Sequence, residues 1–178
     1  GVTKSNFGFK GLYTLNGGNP DFKWGLESTV TYYQDYDGNE RVFRGELEGN
    51  LSFKYLRKME KWISARFYYG QNFLFDSPYY YNDHIEIAMS GARGYQDLFL
   101  EEYNFERNAS GGQFWAQQRN DNQGGFYSTS DFGTTRYWMG TFNVTSHIPF
   151  IPNVFELFSN QGLFYDGTEV NFMFNSGI

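Results

Sequence analysis

From Arg41 to Tyr55 the chain reads RVFRGELEGNLSFKY and alternates for its whole length. Phe43, Gly45, Leu47, Gly49, Leu51, Phe53 and Tyr55 fall on one face, and Val42, Arg44, Glu46, Glu48, Asn50, Ser52 and Lys54 on the other. A period of two predicts a β-strand with one apolar face. Its length is unusual: soluble strands commonly run about five or six residues, whereas a tilted strand that crosses a bilayer needs about 9 to 11. The same alternation predicts strands over Trp24–Tyr33 and Ile63–Phe75. In the first, Trp24, Leu26, Val30 and Tyr32 oppose Glu27, Thr29 and Thr31; in the second, Ile63, Ala65, Phe67, Tyr69 and Phe73 oppose Ser64, Arg66, Tyr68 and Asn72. Phe7, Phe9, Tyr13 and Leu15 mark a weaker early strand, and Trp138, Phe142 and Val144 against Thr141, Asn143 and Thr145 mark a later one.

The connections carry turn chemistry. NGGNPD (Asn16–Asp21) and DYDGN (Asp35–Asn39) are turn formers, RKMEK (Arg57–Lys61) is short and charged, and PFIPN (Pro149–Asn153) is bounded by prolines. Pro20, Pro78, Pro149 and Pro152 all fall outside strand interiors, as a sheet with paired central N–H groups demands. No short repeat interrupts the order, so one antiparallel meander is expected. It divides into strands over 1–75, a long insertion over 76–134 and further strands over 135–178. The insertion is rich in Asn, Asp, Gln, Gly and Ser, with short apolar patches at Ile85–Met89 and Leu98–Phe105. A connection of that length in a compact domain is expected to be functional or packed into a cavity.

Composition sharpens this picture. Aromatic residues make up 22% of the 178 residues, which suits sheets whose faces meet something apolar. A net charge of -6 argues against a nucleic-acid partner, which needs a basic face. The absence of cysteine excludes disulfides and thiolate metal sites. No run approaches the roughly 18 apolar residues of a membrane-spanning helix. Barrel strands show lipid only every second residue, so a mean hydropathy of -0.61 does not separate a membrane barrel from a soluble sheet. The opening GVTKSNF, without an initiating Met or a signal peptide, is expected of a processed, truncated or partial chain.

A soluble antiparallel protein, as in lectins and lipid-binding proteins, would bury the apolar faces against each other. Against that stand the strand lengths, a polar face charged over its whole span, and aromatics close to turns: Trp24, Tyr32, Tyr33, Tyr55, Trp62, Tyr69 and Trp138. About six long strands are legible, fewer than the eight of the smallest membrane barrels, so the expected fold is all-β, part of a larger transmembrane barrel.

From Asp76 onward the order of signals resembles the BamA-like outer-membrane assembly factors and two-partner secretion transporters of the bacterial surface antigen superfamily. ARGY, Ala92, Arg93, Gly94 and Tyr95, is similar to the apolar-Arg-Gly-aromatic motif of their lumen loop, with Ala where the family usually has Val or Ile. NVTSHIP supplies Asn143 and Pro149 of the next strand's motif, with Thr145 at its Glu position. FYDGT supplies Phe164 and Asp166 of a Phe-x-Asp-x-Gly motif, with the glycine one place early at Gly167. The resemblance implies sixteen strands, a long extracellular loop folded into the lumen, and an Arg93–Asp166 lock between loop and wall, Gly94 turning the backbone and Tyr95 packing the tip. It also implies bacterial outer-membrane localisation. The lipid bilayer, accessory outer-membrane or periplasmic proteins and a polypeptide substrate become the expected partners, and the expected activity is protein insertion or translocation. Two further readings stay open: an anchor or exporter for a fused catalytic domain such as a peptidase, and a passive porin or receptor barrel.

Enzyme chemistry is not expected. His84 and His147 have no metal-ligand spacing, Glu101, Glu102 and Glu106 read as a solvated face, and neither a nucleophile elbow nor a phosphate-cradling loop occurs. No cofactor and no metal are implied.

Overall fold

A computed structural model describes residues 7–34, 41–76, 86–89, 124–126, 133–153 and 155–178. The elements run β1 (Phe7–Asn19), β2 (Phe22–Gln34), β3 (Arg41–Leu56), a 3-10 turn (Arg57–Met59), β4 (Lys61–Asp76), β5 (Ile87–Ala88), β6 (Thr134–Thr135), β7 (Trp138–His147), β8 (Glu156–Tyr165) and β9 (Val170–Gly177). No α-helix occurs among the described residues. Seven strands form one sheet in the order β1-β2-β3-β4-β7-β8-β9, every neighbouring pair antiparallel. The expected meander is therefore present, with one strand more than alternation revealed. The insertion contributes the small β5–β6 pair, in which Ile87 faces Thr135 and Ala88 faces Thr134.

Strict alternation of direction puts the chain reversals at two ends. The β1–β2, β3–β4 and β7–β8 connections lie together at one end. They contain the NGGNPD, RKMEK and PFIPN segments. The first of these is closed by Asn19, whose Oδ1 accepts from the backbone N–H groups of Asp21 and Phe22, both at 2.9 Å. The insertion and the β8–β9 turn lie at the other end.

Register separates the two faces. Leu15, Leu26, Gly49, Phe67, Phe142, Gln161 and Phe174 stand in one cross-strand row through all seven strands, as do Tyr13, Ser28, Leu47, Tyr69, Gly140, Leu163 and Phe172. Most of these side chains are exposed, including Leu47, Phe67, Phe142, Leu163 and Phe172. A β-bulge at Phe43/Arg44 adds Phe73 to β4 and keeps Arg44 opposite Asn72 on the other face.

The packed cluster sits on the polar face. Tyr68, Met139 and Phe164 of the sheet meet Ile87, Met89 and Phe126 of the insertion, with Met173 against them. Trp62 also belongs to this face: the ammonium groups of Lys23 and Lys54 lie 5.2 and 5.1 Å from the centre of its ring. Tyr33, paired with Gly8 and Val42, shares it. These two aromatics are thus outside the apolar rim in which the sequence pattern groups them.

Candidate functional site: the covered polar face

One row of the polar face runs Asn16, Gly25, Asn50, Arg66, Asn143, Asn160 and Asn175, one residue from each strand. Antiparallel register alone brings these residues abreast, because alternate positions of neighbouring strands share a face. Hydrogen bonds then link those from β3 to β9. Arg66 donates to Glu48 Oε2 at 2.6 Å and to Asn143 Oδ1 at 3.4 Å, while Asn50 Nδ2 donates to Glu48 Oε1 at 2.7 Å. Asn143 Nδ2 donates to Asn160 Oδ1 at 3.0 Å, and Asn160 Nδ2 to Asn175 Oδ1 at 2.6 Å. Burial of Asn143 and Asn160 is tolerated because both amide ends are used. Beside the row, Tyr68 donates to Glu46 at 2.7 Å.

A second cluster lies nearer the insertion end. Buried Arg44 donates from Nε to Asn72 Oδ1 at 2.8 Å and from a terminal nitrogen to the Glu86 carbonyl at 3.3 Å. Asn72 in turn donates to the Arg136 carbonyl at 2.9 Å, and Arg136 faces Glu86 at 3.7 Å. These bonds tie Glu86, and Arg136 where the chain rejoins the sheet, to β3 and β4.

The insertion covers the row through main-chain contacts. Thr141 Oγ1 donates to the Gly124 carbonyl at 2.7 Å, and Asn143 Nδ2 to the Gly125 carbonyl at 3.3 Å. The segment is itself tied to its neighbour, Phe126 N–H donating to the Met89 carbonyl at 2.8 Å and Gly124 N–H to that of Ala88 at 3.2 Å. Glycine is required at two of these points. Gly125 has φ +66°, and a Cβ there would collide with the Arg66 guanidinium; a Cβ on Gly124 would lie 2.6 Å from the Met89 Cα. Gly162 makes the complementary hollow in the sheet, where a Cβ would stand 2.7 Å from the Met89 methyl and 3.1 Å from the Phe126 ring.

The residues singled out from sequence are dispersed. Asn143 is the hub of the row, and Phe164 lies under the docked segment, against which a Cβ on Gly133 would press at 2.7 Å. Asp166 and Gly167 occupy the β8–β9 turn, and Pro149 is exposed in the β7–β8 connection at the opposite end. The Asp166 carboxylate accepts from the Thr168 hydroxyl (2.7 Å), the Thr168 and Glu169 backbone N–H groups (2.8 and 3.1 Å) and Asn171 Nδ2 (2.8 Å). Those bonds, led by the Thr168 hydroxyl, hold its carboxyl well below the usual carboxylate range. Ala92, Arg93, Gly94 and Tyr95 lie outside the described residues, so the Arg93–Asp166 lock does too; His84, Glu101, Glu102 and Glu106 likewise lie outside them. His147 accepts from the Trp62 N–H at Nδ1 (3.3 Å) and bonds Glu156 through Nε2 (3.0 Å), a structural role at the short-turn end.

Sequence reasoning did not single out Arg44, Arg66, Thr141, Asn160, Asn175 or the Gly124–Phe126 segment as site residues. A signal for the last was present: two glycines before an aromatic inside a polar insertion fit a close backbone approach with an anchor. Among the described residues no group of three His, Asp or Glu side chains fits a metal ion. What the arrangement can do is hold a polypeptide main chain by its carbonyls. Comparison of the chain with protein-family models, curated proteins and solved structures finds no match.

Proposed function

We propose that the chain is a wall segment of a bacterial outer-membrane β-barrel whose lumen side is stopped by its own insertion, in a protein that inserts or translocates polypeptide. The observation that carries the reading is the inversion of the two faces: the apolar one is bare, and the polar one is covered across β4, β7 and β8 by the insertion. Seven strands expose Leu, Phe, Val and Trp side chains in register, a contiguous apolar face of the kind that marks contact with an apolar partner. Lipid is the environment that such a face fits.

The dimensions agree with a bilayer. On the apolar face of β2, Phe22 and Tyr32 are ten residues apart. At about 3.3 Å per residue and a tilt of about 40° that span rises about 25 Å, the height of the apolar band of outer-membrane barrels. Near the insertion end the tyrosines carry polar handles, Tyr32 donating to Gln34 at 2.6 Å and Tyr69 to Gln71 at 2.7 Å, with Trp138 stacked on Tyr69 at 6.4 Å. Rings with one wet edge suit a membrane interface. The covered polar face favours a gated, protein-handling barrel over an open porin, and polypeptide is the substrate that the motif resemblance implies.

Reconstitution of the intact protein into liposomes of bacterial phospholipids tests this. The expected result is a heat-modifiable, carbonate-resistant membrane protein that accelerates insertion or passage of an unfolded outer-membrane polypeptide. Recovery as a water-soluble monomer would overturn the membrane reading. Stable insertion with high, ungated ion conductance and no effect on polypeptide would overturn the functional one.

A further inference from the structure

We propose that Thr141 and Asn143 form a binding site for the main chain of an extended polypeptide, which Gly124, Gly125 and Phe126 occupy as an internal stand-in. The inference deepens the reading of a polypeptide-handling barrel by naming the surface that would touch the substrate.

Three observations carry it. The bonds from the sheet to the segment run from side chains to main-chain carbonyls, Thr141 to Gly124 and Asn143 to Gly125, a contact indifferent to the sequence bound. Beside these clamps lies a side-chain pocket, floored by Gly162 and walled by Tyr68, Met139 and Phe164, which takes the Phe126 ring and the Met89 thioether. It selects an aromatic residue that follows small ones, and methionine is an adaptable wall for exchanging occupants. The row is also wider than its occupant. Residues 124–126 touch β4, β7 and β8, whereas the same row continues through exposed Asn16 and Asn50 on β1 and β3 and through Asn175 on β9. Seven strands at about 4.8 Å spacing are about 29 Å across, and three extended residues reach about 10 Å, so a longer segment has room.

An external segment must displace the internal one, so its apparent affinity is set by the fraction of molecules with the site open. Gly125→Val should open it, because the added side chain meets the Arg66 guanidinium at a left-handed φ. Phe126→Ala opens it without strain by deleting the anchor. The probe is a fluorescent peptide of sequence NQGGFYS, residues 122–128, titrated by anisotropy into the detergent-solubilised intact protein, with folding checked by heat modifiability on gels.

The expected result is at least about tenfold tighter binding to Gly125→Val and to Phe126→Ala than to the wild type, if the site is open in about a tenth of wild-type molecules or fewer. Asn143→Ala or Thr141→Val in the Phe126→Ala background should remove that gain. A peptide with Phe replaced by Ala should bind poorly to all forms. Equal affinity of wild type and both opened variants would overturn the proposal, and so would a gain that survives loss of Asn143 and Thr141. A protein that passes polypeptide in liposomes yet shows no such binding would refute the site while leaving the broader function standing. Binding through the row without any polypeptide handling would do the reverse.

Discussion

Arg66 and Arg41 each hold a carboxylate on a neighbouring strand, and their surroundings predict different energetics. Arg66 meets Glu48 at 2.6 Å with both side chains largely covered, whereas Arg41 meets Asp76 at 2.8 Å with both about half exposed. A double-mutant cycle on the first pair should give a coupling of about 1.5–3 kcal/mol, and on the second a far smaller one that added salt screens away. Glycines give a second contrast. At Gly162 an added methyl meets the movable end of Met89, but at Gly124 it meets Met89 backbone. Gly162→Ala should cost less than about 1 kcal/mol and Gly124→Ala about 1–3 kcal/mol, read by thermal unfolding in detergent. Asp166 supplies the pH test. Its folded carboxyl titrates below the unfolded one, so the stability that it contributes is fully present above the unfolded value of about 3.9 and is lost only as pH falls through the lowered folded value. Its carboxyl resonance should remain that of the ionised form at a pH of about 3.9, where an ordinary aspartate is half protonated. Half-protonation there would contradict the turn geometry.

At the scale of the strand, faces follow from register and can be tested singly. Leu26 sits on the apolar face of β2 near the middle of the stretch from Phe22 to Tyr32. Leu26→Arg should destabilise the bilayer-inserted protein by about 2–4 kcal/mol, as a charge at the midplane does. On a wet surface the same change would be within about 0.5 kcal/mol. Such faces were legible in β2, β3, β4 and β7 because polar and apolar residues alternate there at most positions, with Ser28, Gln71, Tyr68 and Met139 among the exceptions. β8 and β9 were harder. In β8 Leu157 and Phe158 are adjacent, Gln161 stands on the apolar face, and Phe164 on the polar one. Phe164 breaks the pattern for a physical reason: its polar-face neighbours are Met139 and the docked insertion. The eight residues of β9 follow a four-residue turn closely enough to hide the boundary. The site was legible only at Asn143 and Phe164, since a row assembled from seven strands depends on register, which no local pattern states.

For the molecule as a whole the central claim is that the bare face meets lipid and the covered face meets the lumen. The chain contains no cysteine, so single cysteines can carry nitroxide labels one at a time. The decisive measurement is the accessibility of labels at Leu47, Leu51, Phe67 and Phe142 against labels at Glu46, Glu48, Arg66 and Asn143, in the intact protein reconstituted in a bilayer. The first four are predicted to collide freely with oxygen and hardly at all with a water-soluble nickel chelate, and the second four to collide with neither oxygen in lipid nor, under the insertion, much chelate. Labels at Leu47 and Leu51 that instead respond to the chelate, or prove buried against another protein layer in a water-soluble particle, would contradict the account.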